Sequence, residues 1–420
     1  MSLSENEQRV CDLIASRQGD LFADLQLHVG LATGGRNVDA LNVSRRVFTE
    51  RAAALGARVE LHAGDQRPVW LYGSPGYGAL GNAADEAKEA PPVAICRREE
   101  LGRDAGHAPL LIAGHLDTVH DPAGSFQRLQ VDEAGKIGIG PGCVDMKGGL
   151  VIALGALEAL EACGVMLPWT LMLNSDEETG SYHSHRIITN EAARVAQLGG
   201  VGIALEPAGA GGSMVIERAG SGQLFVEVQG KAAHVGRDFA KGVSAVNALA
   251  AVVLRMAELS DPDRERIVNI GPLEGGQATN VVPDRARAWG NMRFPDADGA
   301  KEILAGVHTI AVDFCTKGIP VRIETSLARP AKPKTPGTMR LAHLASAVSR
   351  ELGHELPFAK TAGVCDGNLM QAAGLPTLDT LGVRGGGLHT PEEWIELDSL
   401  VDRCQLLAVY MMRASTRSGQ

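Results

Sequence analysis

Positive charge is in short supply in this chain of 420 residues: 40 Lys and Arg stand against 50 Asp and Glu, giving a formal net charge of −10. Nucleic acids and anionic membranes attract basic surfaces, so neither is expected as a partner. No run of about eighteen apolar residues occurs, which leaves no candidate membrane span. The first ten residues are polar and lack the apolar core of a secretion signal. The 7 cysteines (Cys11, Cys96, Cys143, Cys163, Cys315, Cys365 and Cys404) are scattered without a C-x-x-C pair. An odd, dispersed set reads as reduced thiols, and the expected compartment is the cytoplasm. Aromatic residues are only 4% of the chain, whereas glycine is abundant at 51 residues. So many glycines imply tight turns and close backbone approaches rather than disorder.

The length suits two domains rather than one core. Apolar residues recur at helical spacing over 5–16 and 38–55, and a short strand is expected over 58–62. Residues 73–92, rich in Gly, Ala and Pro, read as a surface loop. Buried strands are expected over 93–96, 110–113 and 170–173, with a long Ala- and Leu-rich helix over 149–163. Strands that are apolar on both faces and alternate with helices predict a mostly parallel sheet sandwiched by helices, an α/β fold. Near residue 215 the pattern changes. Strand 223–228, helix 243–259, strands 267–270 and 280–294, helix 300–315 and strand 320–325 follow in the order of a small α+β open-faced sandwich. After a Pro- and Lys-containing linker over 330–336 the earlier character returns. The expected organisation is therefore a body in two parts, 1–214 and 329–420, interrupted by a module over 215–328.

The chemistry-bearing residues stand at the ends of the apolar strands. His115 and Asp117 follow the strand at 110–114, and two residues apart in extended backbone share a face. The acid can then fix the tautomer of the ring. In GPGCVDMKGG, 140–149, glycines on both sides let the backbone bring Asp145 into a crowded place before a helix. A phosphate-binding loop is excluded there, because Lys147 is followed by Gly148 where Ser or Thr is needed. Asp176, Glu177 and Glu178 follow the strand at 171–173, and three adjacent acids repel one another unless cations neutralise them. Glu206 ends another apolar stretch, and a Gly-rich loop carries His389. Two histidines with several carboxylates form a nitrogen and oxygen donor set suited to zinc, and two cations sharing a carboxylate would suit hydrolysis.

The ordered set GHLDT, GPGCVDMKGG, NSDEETGS, LEP and GGGLHTPEEW resembles the co-catalytic zinc peptidase family that includes bacterial glutamate carboxypeptidase, aminoacylase and acetylornithine deacetylase. TAGVCDGN, 361–368, and the triple glycine before His389 look closer to glutamate carboxypeptidase than to the deacetylases, although Cys365 replaces an expected Ser or Thr. The resemblance implies two Zn2+ per subunit, with Mn2+ or Co2+ as substitutes. Asp145 would bridge them, His115 and Glu206 would complete one shell, and Glu178 and His389 the other. Asp117 would orient His115, and Glu177 would be the general base. The module would be a dimerisation domain of a homodimer, its His234 reaching the partner's site to steady an oxyanion. Asn280 would contact substrate, and Arg293 and Arg329 would grip its carboxylate as guanidinium forks. His183 and His185 fall outside these motifs and read as surface residues. The implied activity is cleavage of an amide bond beside a free carboxylate in a small peptide. The alternatives are an N-acyl or N-carbamoyl amino acid amidohydrolase and a non-catalytic zinc-dependent binding scaffold.

Overall fold

The computed structural model describes residues 2–34, 37–73, 92–98 and 106–416. The loop expected over 73–92 lies almost wholly outside the described residues. Helix α1 (Glu5–Ser16) opens on a capping box between Ser4 and Glu7, and α2 (Gln18–Val29) and α3 (Val38–Ala54) follow. The body then lays down β1 (Arg58–His62), β2 (Val93–Arg98), β3 (Leu110–His115), α4 (Gly148–Ala162), β4 (Trp169–Asn174), α5 (His185–Gln197) and β5 (Val201–Ala204). The inserted module is β6 (Gly220–Gln229), α6 (Ala245–Ala257), β7 (Ile267–Gly275), β8 (Arg285–Phe294), α7 (Ala297–Thr316) and β9 (Val321–Arg329). The body resumes with α8 (Pro336–Glu351), α9 (Asp366–Ala372), β10 (Thr377–Leu378) and α10 (Ser399–Ser415).

The six-stranded sheet of the body runs in the order β1-β2-β4-β3-β5-β10. Pairings β4–β3, β3–β5 and β5–β10 are parallel, and β1–β2 and β2–β4 are antiparallel. The sheet is thus mixed, with a parallel half that carries the site. Its strands read as continuous apolar runs because each face has its own core. Leu110, Ile112, Leu171 and Leu173 point to the layer of α1, α2, α4 and α10. Leu111, Ala113 and Met172 point to α5 and α9. A fully buried leucine stabilises by about 1.5–3 kcal/mol, so these layers can offset an unfavourable gathering of acids at the strand ends.

The module's antiparallel sheet has the order β7-β8-β6-β9, and α6 and α7 cover one face through Leu224, Val226 and Val228. Two expected elements change. The strand expected over 280–294 is broken at Pro283, which lacks an N–H for the ladder. Val281–Val282 instead pairs with Ala233–His234, and β8 starts at Arg285. The helix expected from 243 starts at Ala245, where Ser244 Oγ accepts from Asn247 N and caps it.

Candidate metal and active site

Three neighbouring parallel strands end side by side, and the site lies beyond their carboxyl ends, where open α/β sheets form crevices. β3 delivers His115, β4 leads into the turn carrying Asp176, Glu177 and Glu178, and β5 leads into Glu206. Asp145 arrives from the turn before α4. Gly142 there has φ +69°, and a Cβ on it would lie 2.5 Å from Thr118 Cγ2. A Cβ on Gly149 would lie 2.2 Å from the carbonyl oxygen of Leu205. Gly142 thus lets the turn press against Thr118, beyond β3, and Gly149 lets the start of α4 press against the chain just past β5. His389 comes from the loop between the short strands Gly385–Gly386 and Trp394–Glu396.

These side chains form two groups that share Asp145: His115, Asp145 and Glu206, and Asp145, Glu178 and His389. Within each group the ligand atoms lie within 4.8 Å of one another. His115 Nε2 is 3.3 Å from Asp145 Oδ1, while His389 Nε2 is 3.4 Å from Asp145 Oδ2 and 3.2 Å from Glu178 Oε2. The shared carboxylate therefore offers one oxygen to each group. Two imidazoles and three carboxylates are a donor set that fits a pair of divalent cations, with nitrogen and oxygen ligands only.

The electrostatics match. Burial, with the charges of Asp145 and Glu177, raises the pKa of Glu206 well above the ordinary value. Burial also raises Glu178 and takes Glu177 up to about 7 although the Arg329 guanidinium opposes it. Burial opposes the charged ring of His115, but hydrogen bonds to Asp117 and Asp145 outweigh it and raise the pKa well. Hydrogen bonds to Asp145 and Glu178 lift His389 to about 10. Such a gathering of mutually repelling acids, held together by protons on the histidines, is the state a cation pair would replace.

Around the groups stands a buried frame. Asp117 does more than face His115, whose Nδ1 is 2.9 Å from the Asp117 carbonyl oxygen and 3.5 Å from Oδ1. The Asp117 carboxylate accepts the main-chain N–H groups of Glu177 and Glu178, at 3.3 and 3.0 Å. Glu393, 1% exposed, was given no role by the sequence. It accepts from the N–H groups of Gly142, Val144 and Asp145 at 2.9, 2.9 and 3.0 Å, and His120 Nε2 lies 2.6 Å away. It thereby ties the His389 loop to the Asp145 turn. Asp366 accepts from Asn174 Nδ2 and Ser181 Oγ, both at 2.7 Å. The only hint in the sequence was its place inside TAGVCDGN.

Two expectations are corrected. Arg329 is 2% exposed and is not an open fork for a substrate carboxylate. Its Nη2 donates to Glu177 Oε1 at 2.9 Å and Ser181 Oγ at 2.6 Å and lies 3.1 Å from Asp366 Oδ1, while Nη1 donates to the carbonyl oxygen of Gly180 at 3.0 Å. Buried acids hold the guanidinium inside. Nor is His183 a surface residue: the Asp176 carboxylate accepts its N–H at 2.7 Å and draws the segment inward, and His183 Nδ1 is 2.6 Å from the Asp65 carbonyl oxygen. His185 is half-buried at the start of α5.

The remaining residues lie on the module. Val235 N donates to the carbonyl oxygen of Asn280 at 3.0 Å, so exposed His234 and Asn280 are neighbours on one rim. Neither belongs to the groups around Asp145. Arg293 is half-buried at the end of β8, hydrogen-bonded to Ser221 and, at 2.6 Å, to Asn291 Oδ1.

The sequence profile of Peptidase family M20/M25/M40 matches residues 111–413. Carboxypeptidase G2 of Pseudomonas sp. (strain RS-16) is 27% identical over 315 residues, covering 73% of this chain and 74% of that protein. Succinyl-diaminopimelate desuccinylase 2 of Shewanella loihica is 28% identical over 322 residues, covering 71% and 83%. A crystal structure of a tripeptidase from Staphylococcus aureus has the same fold, with a TM-score of 0.72 at 19% identity over 95% of this chain and 99% of that one.

Proposed function

The chain belongs to peptidase family M20/M25/M40 and is a metal-dependent hydrolase, and on that premise we propose that it cleaves an amide bond beside a free carboxylate in a small peptide. The observation that carries this reading is the sharing of Asp145 between two histidine–carboxylate groups with Glu177 next to one of them. We assign His115, Asp145 and Glu206 to one Zn2+ and Asp145, Glu178 and His389 to a second. When bound, such a pair supplies Lewis-acid polarisation of a carbonyl and acidifies a water.

The chain's own residues do the rest. Glu177 is the general base. Arg329 holds its Oε1 at 2.9 Å, which leaves Oε2 to take a proton from the attacking water and pass it to the leaving nitrogen. Asp117 fixes both the His115 ring and the main chain that presents Glu177 and Glu178. On the module, His234 and Asn280 contact the substrate and Arg293 receives its carboxylate. Because His234 stands apart from the Asp145 groups, we propose a homodimer in which it serves the site of a second copy. The division into 1–214, 215–328 and 329–420 follows from the same reading, as does a cytoplasmic setting, which agrees with seven unpaired cysteines. No helix among the described residues is long and apolar enough to cross a membrane.

The desuccinylase relative favours a second reading, removal of an acyl group from an N-acyl amino acid. A panel of dipeptides, N-acyl and N-carbamoyl amino acids, incubated with zinc-loaded protein and followed by mass spectrometry, separates the two. Release of a C-terminal amino acid from peptides supports the peptidase. Turnover of N-acyl amino acids alone supports the second reading, and turnover of nothing overturns both.

A further inference from the structure

The chain crosses between body and module twice, and both crossings meet over one buried carboxylate. Going in, the strand Met214–Arg218 leads to Ala219 and β6; coming out, β9 leads through Pro330 to Lys332. The crossings pair with each other, since Arg218 N donates to the carbonyl oxygen of Lys332 at 2.9 Å and Lys332 N donates back at 3.0 Å. Beneath them lies Asp379, just past β10 and fully buried. Arg218 Nε and Nη2 grip its two oxygens at 3.0 Å each, and Lys332 Nζ, also fully buried, lies 3.2 Å from Oδ2. A second buried residue of the body repeats the device: Asn368 Nδ2 donates to the carbonyl oxygens of Ala219 at 3.0 Å and Pro330 at 2.8 Å, one on each crossing.

Stability alone does not explain this neck. Two cations on one carboxylate in a dry interior carry a desolvation penalty, and apolar residues of similar volume often stabilise as well or better. What charged, directional contacts add is a single geometry. That geometry is passed on at short range, because Pro330 directly follows Arg329, whose guanidinium holds Glu177, and the first turn of α9 supplies both Asn368 to the neck and Asp366 to Arg329.

We propose that Asp379, Lys332 and Asn368 are positioning residues that pin both crossings of the neck and, through Arg329, fix the direction of the Glu177 carboxylate. The proposal rests on the reading of Glu177 as the base. Its test is Lys332→Met in the metal-loaded full chain, which leaves the Arg218–Asp379 pair intact, together with Asn368→Asp, which turns the donor into an acceptor facing two carbonyls. Amide hydrogen exchange over 216–222 and 328–334 should quicken about tenfold or more. With metal content unchanged, kcat should fall about tenfold while KM moves less than twofold, as displacement of a catalytic group predicts. A crystal structure of the variant should show Arg329 parted from Glu177. Unchanged exchange in whichever variant folds overturns the pin, and faster exchange with wild-type kcat overturns the link to Glu177. If the wild type hydrolyses nothing, the function reading falls, whereas exchange and the Arg329–Glu177 distance still decide the neck.

Discussion

In the body, the polar residues singled out from the sequence come together: five separate stretches supply two groups of three around Asp145, and the ligand atoms of each group lie within 4.8 Å of one another. On the module, His234 and Asn280 are neighbours of each other but stand exposed and apart from those groups. Both regions are sheets covered by helices, so the difference lies in what the sheets offer. Three parallel strands of the body point the same way and deliver acids to one crevice, while the antiparallel module spreads its polar residues along a rim. Convergence within one copy identifies a site. Residues without it need another surface to work on, and the following variants separate the two cases.

The largest effect belongs to the shared residue. Asp145→Ala removes one ligand from both groups at once, so elemental analysis should find less than half of the wild-type metal and hydrolysis should drop to background. Full metal content in this variant would break the claim that the body alone assembles the site. Next comes Glu177→Ala, which should keep both cations and lower kcat by about a hundredfold to ten-thousandfold, the range of general acid–base catalysis. The pH profile carries a sign. A base must be deprotonated, burial raises Glu177 to about 7 in the metal-free chain, and nearby cations lower it again. Activity should therefore fall as pH drops, along an acid limb at or below pH 7, and a limb well above 7 would point to another group.

The module's share is smaller and of a different kind. His234→Ala should slow hydrolysis by about a hundredfold, the loss expected for one oxyanion donor, with metal content intact. Mixing it with Glu177→Ala and allowing subunits to exchange should restore roughly a quarter of wild-type activity, because each mixed dimer regains one complete site. No recovery would mean that the rim serves its own copy or nothing.

The same contrast governs what the sequence could disclose. The termini of β3, β4 and β5 were legible because an apolar run followed by an acid or histidine is a local signal, and the order of strands and helices in the module was legible from periodicity. The frame was not. Glu393 looks like one acid of a pair in a loop, and its partners at Gly142, Val144 and Asp145 lie about 250 positions away along the chain. Arg329 was misread for the same reason, since a fork for a substrate carboxylate and a fork for Glu177 and Asp366 have the same sequence signature. Helix α2 was missed because only Arg17 separates it from α1, and α10 because it is buried along most of its length, with a long apolar run over 406–412 that hides its period.

The smallest predicted effect bears on how firmly the two regions are joined away from the neck. Trp289, on the module face not covered by α6 and α7, donates from Nε1 to the carbonyl oxygen of Trp70 in the body at 3.0 Å, and its ring packs at 5.4 Å from Phe225. Phe225 in turn stacks against Trp70, with ring centroids 6.3 Å apart. Trp289→Phe keeps an aromatic ring there but removes the donor, so urea denaturation should show a loss of about 1 kcal/mol, the net worth of one such bond. Because the neck would still hold Arg329 on Glu177, kcat should stay within about twofold of wild type. A larger fall in kcat with no change in stability would make the aromatic contact, rather than the charged neck, the joint that places the module over the site.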